Sequence, residues 1–60
     1  MKTKITKLDA VIFYKNALPV YMMKNGKLEL TKMLLDFIQN DDFFVDDEIL
    51  NLFYSERRLF

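Results

Sequence analysis

Sixty residues with no His, no Cys, no Trp and one Ser exclude most of the groups that carry nucleophilic catalysis, general-base catalysis and soft-metal binding. Hydrophobic residues make up 52% of the chain, with six Phe, three Tyr and four Met, which excludes a disordered chain of low hydrophobicity and high net charge. The net charge is zero but segregated: residues 1–32 hold seven Lys against two acids, +5, and residues 33–60 hold two Arg against seven acids, −5.

A chain this short forms one domain, expected over 1–60, and buries only about 60% of its unfolded surface. Disulfides and Cys- or His-based zinc sites are unavailable to it, so dense packing or association must supply stability. The longest apolar run, Ala10 to Tyr14, is far short of the roughly 20 residues of a membrane helix. Met1 to Leu8 carries three Lys with no apolar stretch following at once, so no signal peptide is legible. The expectation is a soluble cytoplasmic protein. Its segregated charge would steer partners more than it stabilises the fold.

In chain order, Leu8 to Lys15 (LDAVIFYK) predicts a strand, because β-branched and aromatic residues crowd a short run. Both of its faces are apolar, which predicts a central or doubly covered strand. Asn16 to Pro19 is a turn, and Val20 to Lys24 reads as a second, antiparallel strand. Asn25-Gly26 predicts a two-residue hairpin turn, since type I′ needs positive φ at both central residues. Lys27 to Leu30 alternates polar and apolar residues, as a short third strand would. The competing reading starts a helix near Leu28 and leaves Asn25-Gly26 as a loop.

Thr31 is a plausible N-cap for a helix over Lys32 to Asn40, in which Leu30, Met33, Leu34, Leu35, Phe37 and Ile38 cover one broad face. The second helix has better start signals. Asp46 can cap it, Asp47 and Glu48 suit the positive end of its dipole, and Val45 and Leu50 occupy the staple positions. Its polar residues fill an arc of about 100°, which leaves more apolar circumference than one small core requires. Phe44, Leu50, Tyr54, Leu59 and Phe60 are the expected surplus, with Arg57 among them.

The fold class expected is α+β: a small antiparallel β-hairpin or three-stranded meander followed by two helices. The expected core is Leu8, Val11, Ile12, Phe13, Val20, Met22, Leu28, Leu30, Leu34, Phe37, Ile38, Ile49, Leu52 and Phe53.

One cluster invites a chemical reading: Asp41, Asp42, Phe43, Phe44, Asp46, Asp47 and Glu48. A calcium loop would need alternating oxygen ligands and a Gly at its sharp turn, and this segment has neither. Two readings remain. The acids serve the loop and a helix N-terminus, or they face a basic groove on a protein partner with the aromatics as anchors. The expected partner-binding set is Asp41, Asp42, Phe43, Phe44, Asp46, Asp47, Glu48, Tyr54, Arg57 and Phe60. No catalytic residue, cofactor or metal is expected, because a carboxylate base needs a second group and a pocket.

Nucleic acid is a weaker partner: Lys2, Lys4, Lys7, Lys15, Lys24, Lys27 and Lys32 are scattered, and Arg is confined to Arg57 and Arg58. No motif carries a family resemblance. The expected function is stoichiometric binding to a larger protein, as an inhibitor, antitoxin-like neutraliser or regulator. Compact chains rich in Lys, Asn, Phe and Ile are common in phages and mobile elements of AT-rich genomes, so an anti-defence protein of the anti-CRISPR kind is the concrete case. The runner-up classes are a small nucleic-acid-binding regulator and a structural subunit of an assembly. The surplus apolar surface predicts a partner chain, and a homodimer is one way to provide it.

Overall fold

A computed structural model of the chain describes residues 1–55. The expectations for Glu56, Arg57, Arg58, Leu59 and Phe60 fall outside the described residues. The elements run β1 (Lys2–Ile5), α1 (Lys7–Lys15), β2 (Tyr21–Lys24), β3 (Lys27–Leu30), α2 (Leu35–Gln39), β4 (Phe43–Asp46) and α3 (Asp47–Ser55). The α+β class and the antiparallel sheet stand as expected. The layout differs: the sheet has four strands in the order β1-β4-β2-β3, and three helices are interleaved with them.

The segment expected as the first strand is helix α1. Its ends are bounded locally. The Thr6 hydroxyl accepts the Asp9 amide at 3.1 Å, a side-chain N-cap. At the other end the Leu18 amide reaches the Phe13 carbonyl and the Ala17 amide reaches that of Tyr14, both at 3.0 Å. Those two bonds form a Schellman motif, with Ala17 in the left-handed region at φ +60°. Between the ends, Ala10 and Phe13 lie on one face three residues apart, and both are buried.

The hairpin forms as the sequence predicts. Asn25 and Gly26 have φ of +53° and +77°, and β2 and β3 pair from Lys24↔Lys27 to Tyr21↔Leu30. The Thr31 amide extends this ladder to the Val20 carbonyl at 2.8 Å. Thr31 therefore belongs to the end of the hairpin and caps nothing: its hydroxyl is buried and has no hydrogen-bond partner among the described residues. α2 has no side-chain N-cap at Leu34; Asp36, inside the helix, reaches back instead, its Oδ2 accepting the Lys32 and Met33 amides of the preceding turn at 3.0 and 3.2 Å. α2 is accordingly short. Of the apolar residues expected on its inner face only Phe37 is buried; Met33, Leu34, Leu35 and Ile38 are exposed.

Two strands were not legible in the sequence. β4 is central, paired with β1 on one side (Ile5↔Phe43 to Lys2↔Asp46) and with β2 on the other (Tyr21↔Phe44, Met22↔Phe43). β1 borders it at one edge of the sheet. α3 follows β4 directly; the Asp47 amide at its start donates to the Met1 carbonyl at 2.9 Å.

The core lies on one face of the sheet, beneath the helices. It consists of Ile5, Ala10, Phe13, Val20, Met22, Phe37, Phe43 and Val45, with Val11, Tyr14, Leu18, Ile49, Leu50 and Phe53 packed around it. Aromatic rings tie the helices to the sheet: Phe37 stacks on Phe43 at 4.9 Å, Tyr14 meets Phe37 edge-on at 5.2 Å, and Phe13 contacts Phe53 at 4.4 Å. Burying side chains as completely as those of Phe13 and Phe43 contributes about 1.5–3 kcal/mol each. The expected core members Leu8, Leu28, Leu30, Leu34, Ile38 and Leu52 are exposed instead. Ile5, Ala10, Phe43 and Val45 take their place: three of them sit on β1 and β4, the two strands the sequence does not announce.

Candidate functional site

Strand alternation sorts β4 into two sets. Phe43 and Val45 point into the core and are fully buried; Phe44 and Asp46 point to the opposite face and are half-buried. The registers carry that division across the sheet. Lys4, Phe44, Tyr21 and Leu30 form one row on the face away from the core, and Met23 and Leu28 begin the next. None of these residues belongs to the core or to the shell packed on it. Among the described residues, this face is therefore an uncovered apolar surface built from Tyr21, Met23, Leu28, Leu30 and Phe44. Leu28 and Leu30 are 42% and 44% exposed, respectively.

Ion pairs border this surface on the β1 side. Lys2 Nζ lies 3.3 Å from Asp46 and 4.6 Å above the Tyr21 ring, and Lys4 Nζ lies 2.9 Å from Asp42. Lys7 pairs with Asp41 at 3.1 Å, and the Thr3 hydroxyl donates to Asp47. The acidic segment thus folds back onto the basic start of the chain. The charge segregation visible along the sequence is cancelled in part in space, where β1 and the start of α1 bring Lys2, Lys4 and Lys7 to Asp46, Asp42 and Asp41. Each of these exposed pairs contributes about 0–1 kcal/mol.

The expected partner-binding residues are dispersed. Phe43 is corrected: its side chain is a core residue, since its strand phase turns it away from the surface that Phe44 occupies. Phe44, Asp42 and Asp46 belong to the open sheet face and its rim. Asp41 and Glu48 are exposed, and Tyr54 projects from α3 with its ring edge-on to Phe53 at 5.7 Å. Arg57 and Phe60 lie outside the described residues. Tyr21 and Met23 carry no site expectation from the sequence, and Leu28 and Leu30 are expected in the core; the β2–β3 register sets all four on the face opposite Met22, away from the core.

Two concavities accompany this face. A cleft of about 350 Å³ is lined by Met1, Pro19, Asp46, Asp47, Glu48 and Ile49, and a shallow one of about 310 Å³ lies between the end of α1 and Thr31. The first gathers the carboxylates of Asp46, Asp47 and Glu48, of which Asp46 is paired with Lys2 and Asp47 accepts from the Thr3 hydroxyl. No three carboxylates converge to hold a metal ion among the described residues, and none of the described helices is long and apolar enough to cross a membrane. Comparison of the chain with protein-family models, curated proteins and solved structures found no match.

Proposed function

We propose that this chain is a non-enzymatic protein-binding module that acts as a stoichiometric inhibitor or regulator of a larger protein. The observation that carries the reading is the uncovered sheet face. Tyr21, Phe44 and Met23 are of the residue types enriched at protein interfaces, and the paired charges at its edge resemble a polar rim. A rigid sheet presents such a surface without an ordering cost on binding. An anti-defence or antitoxin role remains the concrete form of this reading, supported by size and composition.

Nucleic-acid binding has less support. Lys2, Lys4 and Lys7, the cations nearest the aromatic face, are each paired with an Asp. A phosphate would have to displace those carboxylates.

The test is a tagged pull-down from the native host, run in parallel with wild type and Met23→Glu and read by mass spectrometry. Met23 is exposed on this face, so the substitution keeps the fold. Retention by both of the same proteins in equal amounts would refute binding through this face.

A further inference from the structure

The free edge of the sheet beside this face is β3. All four of its residues are exposed, and β2 is its one strand neighbour among the described residues. The hydrogen-bond alternation shows which of its groups point outward. The Thr31 amide bonds the Val20 carbonyl, and in an antiparallel ladder the residues bonded to one neighbour alternate. Lys27 and Glu29 therefore bond inward to β2, while the amides and carbonyls of Leu28 and Leu30 face away from the sheet. The side chains divide in step: Leu28 and Leu30 extend the open apolar face, and Lys27 and Glu29 lie on the other.

We propose that β3 pairs antiparallel with β3 of a second copy, about a two-fold axis that sets Leu28 opposite Leu28 of the second copy. An exposed edge is a template for another strand, and charge selects the register. With Leu28 at the axis, Lys27 faces Glu29 of the second copy, and symmetry makes that contact twice. One step in one direction sets Lys27 against Lys27; one step in the other sets Glu29 against Glu29. Like charges directly opposite are unfavourable and opposite charges favourable.

The hairpin itself adds a second argument. Lys24 stands directly across from Lys27, a like-charge pair in the isolated chain. In the paired form Glu29 of the second copy flanks Lys27 from the other side and offsets it. Continuity supplies the third. The apolar face runs to Leu28 and Leu30 at this edge, so pairing joins the two faces into one band across eight strands. The inference concerns the edge and stands whether or not the face binds another protein.

Sedimentation equilibrium of the full chain tests it. A reversible dimer is expected, with a Kd below about 1 mM for so small an interface. Lys27→Glu places like charges together in every register and relieves the Lys24 contact. It should weaken the dimer about tenfold or more while the urea midpoint of the dilute monomer holds or rises. The exchanged pair Lys27→Glu with Glu29→Lys should restore the wild-type Kd. Amide exchange followed by NMR should slow at Leu28 and Leu30 as concentration rises. A chain that stays monomeric at about 1 mM overturns the proposal, as does a dimer indifferent to Lys27→Glu or not restored by the exchange. An edge that takes only a foreign strand would appear here as the monomer.

Discussion

The Leu18 amide donates to the Phe13 carbonyl at 3.0 Å, and the chain can close that bond only by passing Ala17 through φ +60°. This contact ends α1 and places Leu18 against the core. An L-residue with a Cβ resists the left-handed region by about 1–2 kcal/mol, whereas Gly does not. Ala17→Gly should therefore raise stability by about 0.5–1 kcal/mol despite the greater freedom of Gly in the unfolded chain. Urea denaturation reads this directly; a lowered midpoint would show that Ala17 does not carry that strain.

Gly26 has open space around the position a Cβ would take, yet its φ is +77°. The cost of substitution there is backbone strain without collision. Gly26→Asn should lose little, and Gly26→Val should lose more than about 1 kcal/mol. Equal midpoints for the two variants would argue against the type I′ turn.

Thr31 buries a hydroxyl that has no partner among the described residues. Thr31→Val keeps the shape and removes the unsatisfied group, so it should stabilise by about 1 kcal/mol. A loss of stability would mean that the hydroxyl is hydrogen-bonded in solution.

Asp36 holds the two amides that open the α2 region. Asp36→Ala should cost about 1–2 kcal/mol, and Asp36→Asn should recover part of it, because the amide oxygen still accepts. Thr31→Ala should not reproduce the loss. Chemical denaturation of the three variants decides which residue holds the turn into α2.

Phe43 and Phe44 are adjacent, and their strand phase separates them. Phe43→Ala should cost about 3–5 kcal/mol, enough to unfold most of a domain this small. Phe44→Ala removes a half-buried ring from the uncovered face and should leave a folded chain by circular dichroism. The reverse order would mean that β4 is shifted by one residue.

The sequence by itself determined the features set by local chemistry. Asn25-Gly26 forms its turn because two consecutive positive φ values suit few other pairs, and this pins the register of β2 and β3. The start of α3 was legible because acids favour a helix N-terminus. Only the tertiary structure decided the rest. Residues 8–15 are apolar on both faces, so their pattern suited strand and helix alike. The Thr6 cap and the Schellman bonds are local and bound the helix at its ends, but it is the burial of Ala10 and Phe13 against the sheet that selects it. β4 looked like an acidic loop because its partners are distant in sequence: Lys2 answers Asp46, and Met22 stands beside Phe43. The same long-range pairing drew the segregated charges together, made Phe43 core and left Phe44 on the surface. It also turned Leu28 and Leu30 outward while Val20 and Met22 stay in the core: three helices cover one face of a sheet, and a chain of 60 residues has nothing described to cover the other.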